Sequence, residues 1–335
     1  MAESVSTPYT RGLIELGVAK GADRHALLEA AGIDAVTLAD PDARVPLRCY
    51  ASLMRAASAA SGDPALALHY GESTDIAQVS VVGLIGRASA TMADAHAQLN
   101  RYVRLVVDVE IEGAERFRLN ADEAGLWVVD TRRNPNAFPE LTESAFAQIV
   151  CSPRHLGIPS FAKAIHVTHP RPAHGAEYER VLRAPVVFEA GRNAILADGA
   201  ILAQPVERLP RYAFGVLTKH ADALLETLQR SATTRSQVEK LLMPMLHTGS
   251  VGMDGIAAHL NLSRQTLYRR LKAEGVTFEQ VLDELRHRLA LDYLTSRKVS
   301  VNETAYLVGF SEPAAFSRAF KRWTGKSPRD VRAVS

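Results

Sequence analysis

The chain has 335 residues, a length that suggests two domains, and its 47% hydrophobic and 23% charged residues are ordinary for a soluble globular protein. The net charge of +2 hides an asymmetry, because residues 231–335 contain 16 Lys and Arg against 10 Asp and Glu, while residues 1–230 contain 23 against 27. Two cysteines about a hundred residues apart argue against a disulfide framework or a zinc finger and fit a reducing cytoplasm, and the longest apolar run, Val79–Gly86, is too short to span a membrane.

The first hundred residues read as mostly helical. Apolar positions recur at helical spacing in Thr10–Lys20, Asp23–Ala31, Pro46–Ser61 and Ser89–Val107. Glycines or cap residues bound several of these stretches. Many of the alanines in them are expected to be helix–helix contacts rather than functional positions.

From residue 108 to residue 200 the hydrophobic period shortens to that of strands. The predicted strands are Asp108–Ile111, Arg116–Asn120, Gly125–Arg132 and Ala162–His169. A helix is predicted at Phe138–Val150, and Pro185–Glu189 with Asn193–Leu196 is expected to form a final hairpin around Gly191. Residues 1–205 are therefore predicted to be an α+β domain, helical first and sheet later.

Residues 206–234 are predicted to form an amphipathic linker helix and a polar joint. Leu217, Ala221, Leu224 and Leu228 lie on one helical stripe, and the joint is Ala232–Arg235. Two interpretations stay open. The helix is either the last one of the first domain or a dimerisation or relay helix.

The stretch Met253–Gly275 has the pattern of a helix-turn-helix unit. Asp254 is expected to cap the first helix, Asn261 to lie in the turn, and Ser263 to cap the second helix. The outward arc of that second helix, about 140° wide, contains polar and basic side chains. They are Arg264, Gln265, Tyr268, Arg269 and Lys272.

Phe278–Arg297 reads as one long helix, with apolar residues at helical spacing. At the helical rise, such a segment spans about 30 Å. One turn of DNA is about 34 Å. This helix can therefore hold two recognition helices in successive major grooves on one face of the duplex.

A second helix-turn-helix pattern follows. A helix capped by Asn302 and a tight turn at Gly309 are predicted in Val301–Phe310. A second helix, capped by Ser311, is predicted in Ser311–Pro328. One face of that second helix is aromatic. The other presents small residues and cations, namely Ala314, Ser317, Arg318 and Lys321.

These motifs resemble a known family. The stretch GFSEPAAFSRAFKRWTGKSPRDVR at the end of the chain is similar to the signature of the AraC/XylS family of bacterial transcription regulators. Arg286 with Leu289–Leu291 resembles that family's Arg-containing linker helix, and the likeness covers roughly residues 235–332. One departure is that Pro313 and Ala314 stand where some members have polar base-reading side chains. Contact with a thymine methyl group or with the DNA backbone is favoured there.

The layout of the N-terminal domain, with motifs such as SATMADAHAQLNRYVRL, resembles the ligand domain of an AraC-family subgroup that responds to amino acids and lipids. It does not resemble the all-β cupin barrel of the arabinose regulator. The likeness implies an arabinose-binding-like α+β ligand domain, followed by an all-α domain with two helix-turn-helix motifs joined by a long helix.

Candidate DNA contacts come from the exposed faces of the two second helices. The base-reading candidates are Arg264, Gln265, Tyr268, Arg269, Ala314, Ser317 and Arg318. The phosphate candidates are Ser263, Arg270, Lys272, Arg286, Lys321, Arg322 and Lys326. An internal ion pair remains the alternative for Arg286. No effector-contacting residue can be identified.

We therefore expect a cytoplasmic, sequence-specific transcription regulator that binds double-stranded promoter DNA. The resemblance implies RNA polymerase as a partner, a small-molecule effector and a homodimer, with no cofactor and no membrane association. An effector-independent architectural DNA-binding protein is the alternative, and an enzyme fused to a DNA-binding domain is a weaker one.

Other chemistry has little support in the sequence. His155, His166, His169 and His174 could suggest a metal site, but HVTHPRPAH has no cysteine and no neighbouring acidic residue. Surface histidines are the favoured interpretation, so no metal is expected. The chain has no GxSxG, P-loop or GxGxxG motif, and we expect no catalytic residues.

Overall fold

The computed structural model describes residues 3–206, 209–231, 233–249, 251–296 and 298–334. The chain divides into two units, Met1–Glu226 and Thr227–Ser335. The first unit is mixed α and β, and the second is helical within its described residues. This confirms the predicted fold class.

Eight helices lead the first unit within its described residues. They are α1 (Thr7–Ala19), α2 (Arg24–Ala31), α3 (Ala35–Ala39), α4 (Leu47–Ser61), α5 (Leu66–Ser73), α6 (Ile76–Val79), α7 (Val81–Ala88) and α8 (Met92–Val106). Local signals set their ends. Asp23 accepts the Ala26 N–H at the start of α2, and Gly32 ends that helix with a φ of 61°. Thr91 and Asp94 form a capping box on α8.

A small antiparallel sheet, which the sequence did not predict, joins distant parts of the first unit. Its strands are β1 (Ser4–Ser6), β2 (Arg44–Pro46) and β3 (Val107–Asp108), in the order β2-β1-β3. Strands this short leave no detectable period. Arg44 stabilises the sheet by donating to the carbonyl oxygens of Leu105 at 2.8 Å and Arg104 at 3.0 Å.

The larger sheet has five strands in the order β4-β5-β8-β6-β7. They are β4 (Phe117–Asp122), β5 (Gly125–Asp130), β6 (Ala162–His166), β7 (Val186–Val187) and β8 (Ala194–Ala197). Among the described residues of this sheet, β6 and β7 pair in parallel and the other neighbouring strands pair antiparallel.

The predicted hairpin of residues 185–189 with 193–196 is wrong, because β6 lies between β7 and β8. Ala194 and Ile195 of β8 are fully buried. At the edge of the sheet these residues would be more accessible to water, whereas between β5 and β6 they are covered. Burial of apolar surface therefore favours the observed strand order over the local hairpin.

Three more helices belong wholly or partly to the first unit: α9 (Glu140–His155), α10 (Gly175–Leu182) and α11 (Arg211–Ser231). Short 3₁₀ turns lie at Pro135–Ala137 and Gly199–Ala203. One core lies among α1, α2, α4 and their neighbours, and a second lies between α9, α10 and the larger sheet. Phe214, Leu217, Ala221 and Leu225 pack α11 against the first of these cores.

The second unit is a series of helices. They are α12 (Thr234–Leu242), α13 (Met253–His259), α14 (Arg264–Ala273), α15 (Phe278–Ser296), α16 (Val301–Leu307), α17 (Pro313–Thr324) and α18 (Pro328–Val334), with a 3₁₀ turn at Met243–Thr248. The pairs α13–α14 and α16–α17 are the two predicted helix-turn-helix units, and α15 is the predicted long helix. Ala232 of the joint and Arg297 of the long helix lie outside the described residues.

The start of the first helix-turn-helix unit differs from the prediction. Gly252 occupies the cap position of α13, so Asp254 lies inside the first turn and does not cap the helix. Its carboxylate instead accepts a bond from Arg264 at 3.0 Å. The other two predictions are confirmed, since Asn261 lies in the turn with a φ of 53° and Ser263 caps α14.

The cap predictions for the second helix-turn-helix motif are wrong at both of its helices. Ser300, not Asn302, caps α16, because Ser300 and Glu303 satisfy each other's backbone N–H groups in a capping box. Glu312, not Ser311, precedes α17, since Pro313 occupies the first helical position.

Candidate nucleic-acid interface

Helix α14 is fixed by its buried side and presents a polar side outward. Leu267 and Leu271 are at most 1% exposed and belong to the core shared with α12, α13 and the first half of α15. This orientation exposes all four base-reading candidates of the helix. They are Arg264, Gln265, Tyr268 and Arg269.

Several side chains around α14 have partners of their own. Ser263 accepts the Thr266 N–H at 3.1 Å, so its oxygen already serves as the helix cap. The ammonium group of Lys272 lies 5.9 Å from the centre of the Tyr268 ring. Arg270 and Lys272 are exposed and remain available to phosphate.

Helix α17 is anchored by aromatic rings. Phe316 and Phe320 are fully buried, and Phe310 and Trp323 pack beside them. On the outward side, Ala314 and Arg318 are exposed. Ser317 is half-buried and donates to the carbonyl oxygen of Pro313 at 2.9 Å. The N-terminal part of this face therefore has small side chains.

The cations of α17 fall into two groups. Lys321 is exposed, as is Lys326 just after the helix. Arg322 is also exposed but donates to Asp283 of α15 at 3.0 Å, and Trp323 donates to the same carboxylate oxygen at 3.4 Å. Asp283, which the sequence did not single out, thus ties α17 to the long helix.

Arg286 faces the interior of the second unit. Its Nε donates to the carbonyl oxygen of Val308 at 3.1 Å and its Nη2 to that of Gly309 at 3.2 Å. The guanidinium also lies 4.8 Å from the centre of the Phe310 ring. Burial lowers the pKa of Arg286, and the nearby Asp283 opposes that effect. This geometry favours a role in holding the turn of the second helix-turn-helix over a phosphate contact.

The turn itself requires a glycine. Gly309 has a φ of +84°, and a Cβ atom there would meet the backbone carbonyl oxygen of Leu246. Gly309 therefore permits close contact between the second turn and the 3₁₀ segment that follows α12.

The two recognition helices, α14 and α17, share one support. The first half of α15 belongs to the core under α14, the second half belongs to the core under α17, and Leu289 contacts both. The 19 residues of α15 give it a length of about 28 Å. One helix can thus fix the separation of two exposed recognition surfaces.

Comparison with known proteins agrees with this architecture. Residues 21–206, more than half of the chain, match the family described as "Arabinose-binding domain of AraC transcription regulator, N-term". The chain belongs to the AraC family of transcription regulators. Residues 256–333 of this AraC-family protein match a family described as "Helix-turn-helix domain", and the match includes both recognition helices. It is thus a helix-turn-helix transcription regulator that binds DNA.

Relatives of this AraC-family chain include the ornithine utilization regulator of Pseudomonas aeruginosa. The two are 29% identical over 334 residues, which cover 99% of this chain and 97% of that protein. The HTH-type transcriptional regulator VirS of Mycobacterium tuberculosis is 26% identical over 87% of this chain and 85% of its own. The solved structure of the transcriptional regulator CdpR from P. aeruginosa is 20% identical, with a TM-score of 0.36 over 80% of this chain and 86% of that one.

The first unit of this AraC-family protein contains a cavity of about 220 Å³, lined by parts of α6 to α9 and by the start of β4. Arg116 reaches its wall and was not predicted as a site residue, because an arginine before a strand gives no functional signal in sequence.

In the described parts of the chain, no cluster of three or more His, Cys, Asp or Glu side chains could hold a metal ion. Within those same parts, none of the helices has the length and apolar character needed to cross a bilayer. Of the four histidines weighed as ligands, His169 is buried and bonds to the Tyr178 hydroxyl at 3.0 Å.

Proposed function

We propose that this regulator recognises promoter DNA by placing α14 and α17 in successive major grooves on one face of the duplex. The observation that supports this most directly is the shared support of both recognition helices by α15. A rigid spacer of about 28 Å is close to the roughly 34 Å repeat of DNA. Both outward faces are accessible, and the second unit has an excess of Lys and Arg.

The two helices are expected to read DNA differently. On α14, Arg269 has the paired donors that read guanine, and Gln265 has the amide donor and acceptor that read adenine. On α17, Ala314 offers a methyl group and Arg318 a guanidinium, so that helix combines apolar contact with one polar reader. Arg270, Lys272, Lys321 and Lys326 are exposed and form the proposed phosphate set, together with Arg322 if it releases Asp283.

We further propose that a small molecule bound by the first unit controls DNA binding. We assign effector binding to residues 1–205, transmission to residues 206–234 and DNA contact to residues 235–335. The match of residues 21–206 to a ligand-domain family and the internal cavity support effector control over a purely architectural role. The protein would act in the cytoplasm as a homodimer and affect the use of a promoter by RNA polymerase.

Selection of bound DNA from a random pool by the full chain tests this proposal. The expected result is a consensus with two short conserved segments whose centres lie about one helical turn apart. Enrichment of no consensus, or of a single short segment, would contradict the two-groove proposal.

A further inference from the structure

The walls of the cavity in the first unit are mostly apolar. Side chains from α7, α8, α9 and β4 line it, among them Val82, Leu99, Val103, Phe117, Leu141 and Ile149. An apolar protein cavity of about 150 Å³ stays dry and accepts a molecule of the size of benzene. At about 220 Å³, this cavity can take a somewhat larger apolar body. A sugar is a poorer fit, because a mostly apolar wall would leave many of its hydroxyl groups without hydrogen bonds.

Arg116 is the most buried charged group of the cavity wall. Arg116 is 3% exposed and lines the cavity, and its Nε and Nη2 have no hydrogen-bond partner among the described residues. Asp130 Oδ1 lies 3.6 Å from Nε, too far for a hydrogen bond, and Asp130 Oδ2 likewise has none in the described structure. A buried guanidinium with open donors is costly, and a ligand acceptor would relieve that cost.

Three other ionisable groups of the wall already have hydrogen-bond or ion-pair partners. Asp75 and Arg87 pair with each other at 2.8 Å, which compensates both charges. His96 bonds to Asn100 at 3.1 Å, and burial lowers its pKa, which favours the neutral ring. Arg116 is therefore the buried cation of this wall, and two of its donors lack hydrogen-bond partners among the described residues.

We propose that the cavity binds a small monocarboxylate with an apolar body, whose carboxylate group contacts Arg116 and whose body lies against α8 and α9. This inference rests on the proposed effector control and names the class of effector. It also indicates how binding is transmitted. Helix α8 lines the cavity with Leu99 and Val103, and through Tyr102 it holds α11, since the Tyr102 hydroxyl donates to Asp222 at 2.7 Å.

The geometry therefore makes α8 the element that both contacts the effector and positions the helix leading into the DNA-binding unit. A ligand that fills the cavity in only one arrangement of α8 would shift the population towards that arrangement.

Calorimetry on the full chain with matched probes tests the inference. The carboxylates are octanoate, phenylacetate and cyclohexanecarboxylate, and each is paired with the alcohol of the same skeleton. Octylamine is the cationic comparison. At least one carboxylate should bind, and it should bind at least about tenfold more tightly than its alcohol, because a charge-assisted hydrogen bond contributes that much. Failure of all three carboxylates, or equal binding of acid and alcohol, would overturn the inference.

Variants locate the site. Arg116→Met should weaken carboxylate binding about tenfold or more, whereas Arg118→Met, which removes an exposed arginine of β4, should leave it unchanged. Because Arg116→Met leaves Asp130 buried without its cation, the double variant Arg116→Met/Asp130→Asn serves if the single one does not fold. Ala145→Phe, which fills the cavity, should abolish binding of every carboxylate. Unchanged binding in that folded variant would exclude the cavity.

The same samples separate this inference from the proposed function. Binding of the selected DNA is measured with and without the bound carboxylate. If the chain binds its selected DNA but none of the carboxylates, the effector class is wrong and DNA recognition stands. If it binds carboxylate but selects no DNA sequence, the proposed function fails while the cavity assignment stands.

Discussion

Single residues of the same type have different roles in the second unit because their surroundings differ. Arg269 is exposed on the outward face of α14, where its guanidinium can reach a base edge. Arg286 is partly buried, and two carbonyl oxygens already accept its hydrogen bonds. The type of residue and its position in a motif could not distinguish these roles.

Replacement of Arg269 by Ala tests base reading. The variant should lose about 1–3 kcal/mol of binding free energy on the selected site and relax the preference at one base position. Fluorescence anisotropy with the selected site and with random DNA measures both effects. Arg329→Ala, which removes an exposed arginine of α18, is the control. Equal losses on specific and random DNA would show that Arg269 contacts only the backbone.

Arg286 and Lys321 should respond differently to salt. Lys321→Ala should lower the slope of log binding constant against log salt by about one, as expected for a lost phosphate contact. Arg286→Ala should leave that slope unchanged and lower the free energy of unfolding by about 1–3 kcal/mol, because two carbonyl groups lose a charged donor. A slope that falls by about one in folded Arg286→Ala would instead make Arg286 a phosphate contact.

Gly309→Ala should destabilise the second unit by about 2 kcal/mol or more. The alanine would have to adopt a strained positive φ, and its Cβ would clash with the carbonyl oxygen of Leu246. Gly275→Ala is the matched control. Its φ is +75°, and a Cβ there meets nothing within 4 Å in the described structure, so about 1 kcal/mol is expected. Hydrogen exchange in α16 and α17 measures the loss. Equal effects at the two glycines would show that the turn can move away from Leu246.

At the scale of elements, local signals predicted the helices and the strands β4, β5 and β6, but not the order of the strands in the sheets. The capping residues and the helical periodicity of a helix lie within its own sequence. For this reason the predicted bounds of α2, α8, α14 and α15 are close to the observed ones. Strand order depends on which distant segments bury each other, and the sequence does not show this locally. For that reason β8 was assigned to a hairpin, and β1 and β2 were not expected at all.

In the candidate interface, the features that depend on local sequence were predictable, and the contacts between distant elements were not. Its two motifs and their outward faces follow from helical geometry, and the structure shows most of the predicted residues exposed. The Asp283 contacts and the carbonyl acceptors of Arg286 could not be expected, because they join elements that are distant in sequence. Arg116 became a site residue only through the cavity around it.

A proline in α15 tests whether this helix couples the two recognition helices. Ala290→Pro should cost about 3 kcal/mol or more within the helix and reduce full-site affinity towards that of a half-site. Glu279→Pro is the control, since a proline in the first helical turn is tolerated. Circular dichroism checks that both proteins fold. Full-site affinity retained in folded Ala290→Pro would mean that the two helix-turn-helix motifs bind DNA independently.

At the scale of the whole molecule, the proposed effector control would act through α11. This helix starts in the first unit, where Ala221 is fully buried and Asp222 binds Tyr102, and its last residues belong to the second unit. Because an effector can act only by favouring one arrangement over another, any relay must pass through the chain segment that joins the two units or through contacts formed in one state.

The most direct test of the account is a chemical footprint of the full chain on its selected DNA, read by methylation of guanine N7 in the major groove. Two helices in successive grooves should protect two major-groove segments, centred about 10 base pairs apart on one face of the duplex. Arg269→Ala should weaken protection in only one segment, and Arg318→Ala only in the other. A single protected segment, or protection of both that disappears together in either variant, would contradict recognition by two helices in successive grooves.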